Sequence, residues 1–400
     1  MRYMWKFFLL LMLVVTSCSE KQIDGNVINV AEAMSRLSEG QSVQNLFSSI
    51  SYIPLETNEQ AIIGKYPECI IMDSAILVSS VHQNLKLFDR TNGKYIRDIG
   101  HVGTDPEGYA KDSWGKVSFW ADTVRRTVYL LGWNNDFLLY GFDGKYKDRI
   151  RLQDTVNCIL SQNYYLMDAD RIWGHNKMKL SPETPSVFYM DRNTMSLTGI
   201  ATWNSALLPM DEVLSVSNLL GGNVAYGGDL AMAEFVDRKY YTAINSPSLW
   251  KSKDAIRVKQ AFNDTIYTIS EQGLTPYLVF ELGEWHWNEQ QQLDVEGCDK
   301  KIAIDYILEN AEYIYFHFHT SLYLEESQSY CGFYHKEKKT VVCQKGDSLF
   351  DKMNNQHIQI RGVTSDGHFF ALLQPDELSD DNQRRMGVEE EGNPIMVMLY

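Results

Sequence analysis

Six cysteines in 400 residues, with no Cys-x-x-Cys pair anywhere, leave the chain without the usual spacing of a zinc ribbon or a thiol redox motif. Long helical periodicity is nearly absent. The two exceptions are Ile302 to Leu308, equally compatible with a strand, and Asp376 to Glu391, which is charged and has no strong apolar stripe. No apolar run reaches the ~20 residues of a membrane-spanning helix; Phe7 to Val15 stops at nine. Basic charge is short as well. Lys and Arg number 37 against 52 Asp and Glu, a formal charge of −15, which argues against nucleic acid as a partner and against electrostatic adhesion to anionic lipid. There is no Gly-x-Ser-x-Gly elbow, His-Glu-x-x-His pair, phosphate loop or dinucleotide fingerprint. No motif names a cofactor, so none is expected, although a site assembled from distant segments would leave no such local mark.

The N-terminus carries an address. Arg2 and Lys6 precede the nine apolar residues, the layout of a signal peptide over residues 1–17. Val15-Thr16-Ser17-Cys18 resembles the bacterial lipobox, which implies lipidation at Cys18, export and a tether to the cell envelope. An ordinary cleaved signal with a chance cysteine is the alternative. Loss of Arg2 and Lys6 with the signal takes the net charge from −15 to −17. Residues 18–48 read as a polar tether ending in a short amphipathic piece around Ala31 to Leu37.

From residue 49 to 400 the chain reads as all-β. Its 23 Tyr, 17 Phe and 9 Trp favour pleated, half-buried surfaces. The phrase LKLFDRTNGKYIRDIG (Leu85–Gly100) is a hairpin about Asn92-Gly93, and FLLYGFDGKYKDRIRL (Phe137–Leu152) repeats it loosely, Gly-Lys-Tyr included. A recurring hairpin marks a repeat architecture. Four-strand groups follow over 68–99, 116–152, 164–201, 230–282 and 304–343. The fourth is read as Leu230–Phe235, Lys239–Ile244, Thr265–Ile269 and Pro276–Leu282, with an insertion between its halves. The last group has three strands, His357–Val363, His368–Leu373 and Ile395–Tyr400, while Ile50–Leu55 stands spare at the other end. Supplying that strand to the last group closes a ring and hides a sheet edge. The expectation is a six-bladed β-propeller with four antiparallel strands per blade, closed by an N-terminal strand in the last blade; seven blades is the nearest rival count.

SYIPLET (Ser51–Thr57) with Ile63-Gly64, the Leu85–Gly100 hairpin, FNDTIYTISEQGLTPYLVFELG (Phe262–Gly283) and NPIMVMLY (Asn393–Tyr400) together resemble the six-bladed β-propeller lipoproteins of Bacteroidetes, with NHL-like blades. Where that family carries Gly-Pro-Gly-Glu-Tyr, this chain reads Gly103-Thr104-Asp105-Pro106-Glu107-Gly108-Tyr109, with Gly and Glu transposed. The resemblance implies a binding or scaffolding propeller and no agreed activity.

The expected role is therefore a non-catalytic module on an exported lipoprotein, probing a glycan, a peptide or an envelope protein, and touching membrane only through its lipid. The outer membrane is the expected location, with sidedness open. The alternative is a Ca²⁺-dependent hydrolase or lactonase-like enzyme with its site at the channel mouth. Candidate ligand-binding residues are Asp105, Glu107 and Tyr109 in the transposed loop. Trp285 and Trp287, two indoles on one side of an extended segment, are the others. His317 and His319 share a strand face and are candidate metal ligands, weighed against two hydrogen-bonded structural histidines with no acidic third ligand evident. A hairpin turning about Glu337 would oppose Cys331 and Cys343 within disulfide reach, against two buried free thiols. Asp376, Glu377, Asp380 and Asp381 offer carboxylates for Ca²⁺ or, with Arg384 and Arg385 beside them, a solvated helix with internal pairs.

Overall fold

The computed structural model describes residues 26–400 except 38–39, 113–114, 153–162, 169, 177–182, 203–212, 221–228, 236–238, 246–248, 254, 261, 289–295 and 323; for 163–164, 213–220, 229–235 and 239–245 it describes the backbone alone. Six antiparallel sheets built on four strands form a closed six-bladed β-propeller. Blade one comprises Glu68–Ile71, Ala75–Ser79, Leu85–Asp89 and Tyr95–Ile99, and blade two Phe119–Asp122, Thr127–Leu131, Asp136–Gly141 and Tyr146–Arg151. Blade three holds Asn163–Met167, Arg171–Asn176, Val187–Asp191 and Leu197–Ala201. Blade four holds Leu249–Ser252, Ala255–Val258, Thr265–Ser270 and Gly273–Glu281. Blade five runs Ile302–Glu309, Tyr313–Thr320, Gln328–His335 and Thr340–Lys345. Blade six combines Gln356–Val363, Phe369–Leu373 and Ile395–Leu399 with Ile50–Pro54, and the short strand Ser348–Asp351 pairs with the start of its first strand.

Both faces of a blade are covered by neighbours, so its middle strands are apolar throughout rather than alternating. Ala75–Ser79, Thr127–Leu131 and Ile395–Leu399 are buried at every position. One apolar cluster fills each gap between consecutive blades, the sixth joining blade six to blade one through Phe370, Met396, Met398, Ile71, Val78 and Phe88. The closing strand lies antiparallel to the C-terminal one, from Ile50 opposite Leu399 to Pro54 opposite Ile395.

The repeated Gly-Lys-Tyr turns have a physical reason. Gly93 and Gly144 sit at φ +70° and +79°, where a side chain is strained. A Cβ on Gly93 would meet the Pro54 carbonyl at 2.0 Å, and one on Gly144 the Asp98 carbonyl at 2.7 Å. Each turn thus leans on the outer strand of the preceding blade. At the seam, Glu56 N donates to Gly93 O at 2.8 Å and accepts from Tyr95 N through Oε2 at 2.8 Å.

Two readings need correction. The strands expected at Leu230–Phe235 and Lys239–Ile244 are not in blade four. They belong to a separate three-stranded sheet of Val213–Leu220, Asp229–Phe235 and Lys239–Asn245. Blades three and four pack directly on each other through Trp173, Val187, Leu249, Ile256 and Val258, so this sheet does not interrupt the ring. The true first strands of blade four are four residues each and turn at Lys253, in the left-handed region at φ +53°, a pattern too short and too polar to stand out in the sequence.

The second concerns the tether. Residues 26–37 and 40–48 lie against the propeller as a strap. Val27–Asn29 pairs parallel with Val279–Glu281 on the rim of blade four. Helix α1 (Val30–Met34), capped by Asn29 Oδ1 accepting from Glu32 N at 3.0 Å, sinks Val30, Ala33 and Met34 into the core between blades four and five. Helix α2 (Val43–Leu46) then puts Val43 and Phe47 against the core between blades five and six. The amphipathic piece read from the sequence has its apolar face here, covered by blade edges rather than solvent.

Candidate functional site

In blade five, Tyr313, Tyr315, His317 and His319 share one face of their strand, and Ile314, Phe316 and Phe318 the other. The tyrosines face blade six and the phenylalanines blade four. The preceding strand carries a bulge: Ile304 opposes Phe318, Tyr306 opposes His317, and Asp305 is the extra residue between them. A bulge directs two successive side chains to the same side, so the Asp305 carboxylate joins the histidines. His317 Nδ1 lies 2.8 Å from Asp305 Oδ1, and His319 Nε2 lies 3.8 Å from Oδ2. The three side chains are 13, 14 and 9 % exposed, and one ligand atom from each falls within 4.8 Å of the others. Burial works against the charged form of His317, but Asp305 beside it outweighs that and raises its pKa. Burial dominates at His319 and lowers its pKa despite the same carboxylate. Among the described residues this is the group that brings three such donors together. It holds one carboxylate and two imidazoles, not the oxygen-rich shell of Ca²⁺.

A second feature is a cleft of about 610 Å³ beside the ring closure. The strap supplies Val43 and Phe47, the closing strand Ile50 and Tyr52, and helix α3 (Asp380–Met386) supplies Arg385 and Met386. Asp351 braces one side, accepting from Gln44 Nε2 and Tyr52 Oη at 2.6 Å each. The Arg385 guanidinium donates to the side-chain oxygens of Asn354 and Asn382. Among the described residues no carboxylate pairs with it. Helix α3 also settles the acidic segment: Ser379 caps it, Gly387 ends it in the left-handed region, and Asp381 pairs with Arg384 on its surface.

The residues singled out from the sequence fare unevenly. Cys18 lies outside the described residues. Asp105 and Glu107 are exposed in a loop stitched to blade two, where Tyr140 Oη donates to Glu107 O and Trp133 Nε1 donates to Gly103 O at 2.6 Å. His101 Nε2 sits 2.7 Å from Asp105 Oδ2, and that contact lowers the Asp105 pKa. Tyr109 is no surface ligand: it is fully buried between blades one and two, its hydroxyl accepting from Leu85 N at 2.9 Å. Trp287 is buried edge-on against Phe262, with ring centres 5.0 Å apart, and Trp285 packs on the core of blades four and five, so the pair forms no exposed platform.

The disulfide is also overturned. Cys331 opposes Gln344, and Cys343 opposes Gly332. The hairpin turns between Glu337 and Lys338 rather than on Glu337, which slips the register by one residue and sends the two thiols to opposite faces. Cys331 joins the core toward blade six and Cys343 the core toward blade four; no disulfide joins them, and burial pushes both thiols up to about 12.

A family profile described as "Domain of unknown function (DUF4934)" matches residues 25–400. The chain belongs to the DUF4934 family. No curated protein matches it. Among solved structures, this DUF4934 chain is similar to a Bacteroides fragilis protein whose export is inferred: 14 % identity over 91 % of this chain and 97 % of that one, TM-score 0.62. It is less similar to the Cps50 (Swd1) β-propeller domain of Myceliophteria thermophila, with 8 % identity, 88 % and 100 % coverage and TM-score 0.40. The Pan2 WD40 domain of Neurospora crassa gives 9 %, 83 % and 88 %, and 0.40. At these identities the likeness is one of fold.

One more buried group in the DUF4934 chain invites a functional reading and has a simpler one. Lys259 is 3 % exposed, with its ammonium 3.4 Å from the Gln260 carbonyl and Asp264 as the nearby charge. Asp264 is itself held by His286 Nδ1 at 2.5 Å. Burial lowers the lysine from 10.5 to about 8. An unfolded chain therefore takes up this proton first as pH falls, so folding loses stability from pH 10.5 down to about 8 and is penalised evenly below that. Lys259→Met is expected to stabilise the protein at pH 7 by about 2–3 kcal/mol, a gain that shrinks as pH rises toward 10.5. Urea unfolding of both proteins across that range checks it; a less stable variant at pH 7 would mean the Asp264 pairing outweighs desolvation.

Proposed function

We propose that the protein is an exported, lipid-tethered propeller that works by binding, and that it takes its ligand in the cleft beside the ring closure. The cleft carries the proposal. Its volume of about 610 Å³ falls in the range of small-ligand sites, roughly 300–1,000 Å³. Its lining combines apolar Val43, Phe47, Ile50 and Met386 with a guanidinium, that of Arg385, fixed by two amides. That pairing suits an apolar peptide segment bearing a carboxylate better than a neutral glycan, because Arg385 brings directional, charge-assisted hydrogen bonding to one end. The NHL-like pattern and the lipobox support the envelope setting. From Cys18 to Asn26, whose carbonyl accepts from Val279 N at 3.0 Å on the rim of blade four, about eight residues span less than ~30 Å. A lipid on Cys18 would hold that rim close to the bilayer.

The test is peptide selection by phage display on wild-type protein and on Arg385→Ala. Peptides that combine an apolar side chain with a carboxylate should be enriched and should bind the variant about tenfold more weakly, a loss near 1.4 kcal/mol. Enrichment indifferent to Arg385→Ala, or binding confined to glycans, sinks the assignment. Membrane fractionation of Cys18→Ala tests the tether separately, release being the expected result.

A further inference from the structure

We propose that Asp305, His317 and His319 form a binding site for one divalent transition-metal ion of the zinc type. The reading is independent of the cleft, which lies on other elements. Three observations converge on it. The strand period gives two imidazoles on one face, with ring centres 4.9 Å apart. The bulge adds the carboxylate between them, a local departure from sheet geometry of the kind that re-aims side chains at sites.

Third, the group is closed on itself. Among the described residues the Asp305 carboxylate meets only the two histidines. His317 Nε2 is buried with no hydrogen-bond partner among them. A structural Asp–His pair would account for one imidazole. It leaves the second imidazole, at 3.8 Å, without a role.

The donor set decides the ion. Two neutral imidazoles and one carboxylate suit zinc and its neighbours, with bonds near 2.0–2.2 Å and ligand atoms about 3.3 Å apart in a tetrahedron. The observed 2.8 and 3.8 Å separations bracket that spacing. Ca²⁺ asks for six or more oxygens and is excluded as the preferred ion here. Three protein ligands leave a fourth position for water or a ligand atom. Asp347, held by Gln359 Nε2, adds a further negative charge that both histidines feel.

The experiment loads chelator-stripped full-length protein with Zn²⁺, and separately with Cu²⁺ as a spectroscopic probe. Wild type should bind one equivalent of Zn²⁺ and melt several degrees higher with the metal at about a hundredfold over Kd. His319→Gln and Asp305→Asn should each weaken binding at least about a hundredfold while melting like wild type in chelator. Should either variant fail to fold, pulsed EPR of the Cu²⁺ form of wild type must show two imidazole nitrogens. Equal binding by folded variants, no binding by wild type, or a Cu²⁺ spectrum without two imidazoles would each overturn the site.

Discussion

Deletion of Ile50–Pro54 is expected to abolish the cooperative thermal transition of this propeller. The strand covers Ile395–Leu399, whose five side chains are at most 1 % exposed. Its loss would return several of them partly to water, at about 1.5–3 kcal/mol for each fully exposed side chain. That sum is comparable to the whole stability of a typical folded protein, about 5–15 kcal/mol. The damage spreads both ways around the ring. On one side Phe47, packed against Tyr313, Phe333 and Phe369, loses its anchor. On the other, the contacts of Glu56 and Pro54 with the Asn92-Gly93 turn of blade one are broken. Calorimetry and limited proteolysis would read the result, and a peptide spanning residues 42–57 added in trans should restore part of the transition. A deletion variant melting within a few degrees of wild type would refute closure by this strand.

The second large effect is expected at Glu309. Its side chain is 1 % exposed at the joint of blades four and five. It accepts from Lys336 Nζ at 2.6 Å, Trp250 Nε1 at 2.8 Å and Tyr277 Oη at 3.4 Å. Arg257 Nε stands 3.8 Å away, its guanidinium 3.5 Å from the centre of the Tyr277 ring. Glu309→Ala removes the single carboxylate that these cations share and leaves them desolvated. Breaking a buried pair from one side costs about 3–5 kcal/mol, far more than the pair contributes over an apolar replacement. Glu309→Leu combined with Lys336→Met should therefore recover much of the loss. Urea unfolding of the three proteins measures both statements; a single-variant loss below about 1 kcal/mol would place the carboxylate in effective contact with water.

What could be read from the sequence divides along physical lines. The scaffold was legible because its signals are local: Asn92-Gly93 between apolar strands, its echo at Gly144, and a spare strand at Ile50–Leu55 matching a missing one. Register was not, because a pairing off by one residue reverses every side chain, as Cys331 and Cys343 show. Exposure was misjudged at Tyr109 and Trp287, since residues next to turns fold back into the gaps between blades. Asp305 escaped because it pairs with His317 across strands. A signal for it was present: the apolar alternation Ile302, Ile304 changes phase to Ile307, with Asp305-Tyr306 at the break, which is how a bulge looks in sequence. The cleft was invisible for a different reason, being built from the strap and the closing strand together with α3, more than three hundred residues further along the chain.

The strap has a mechanical consequence. Tension applied at the N-terminal side reaches Val27–Asn29 first, and that strand lies parallel to the rim of blade four, outside the ring. The next resistance comes from α1, whose apolar face is held between blades four and five. The closing strand, two blades along on blade six, is loaded last. The rim strand and α1 therefore act as a fuse: a pull would peel them away while the six blades still hold their circle, and release would let them reseat without refolding the disc.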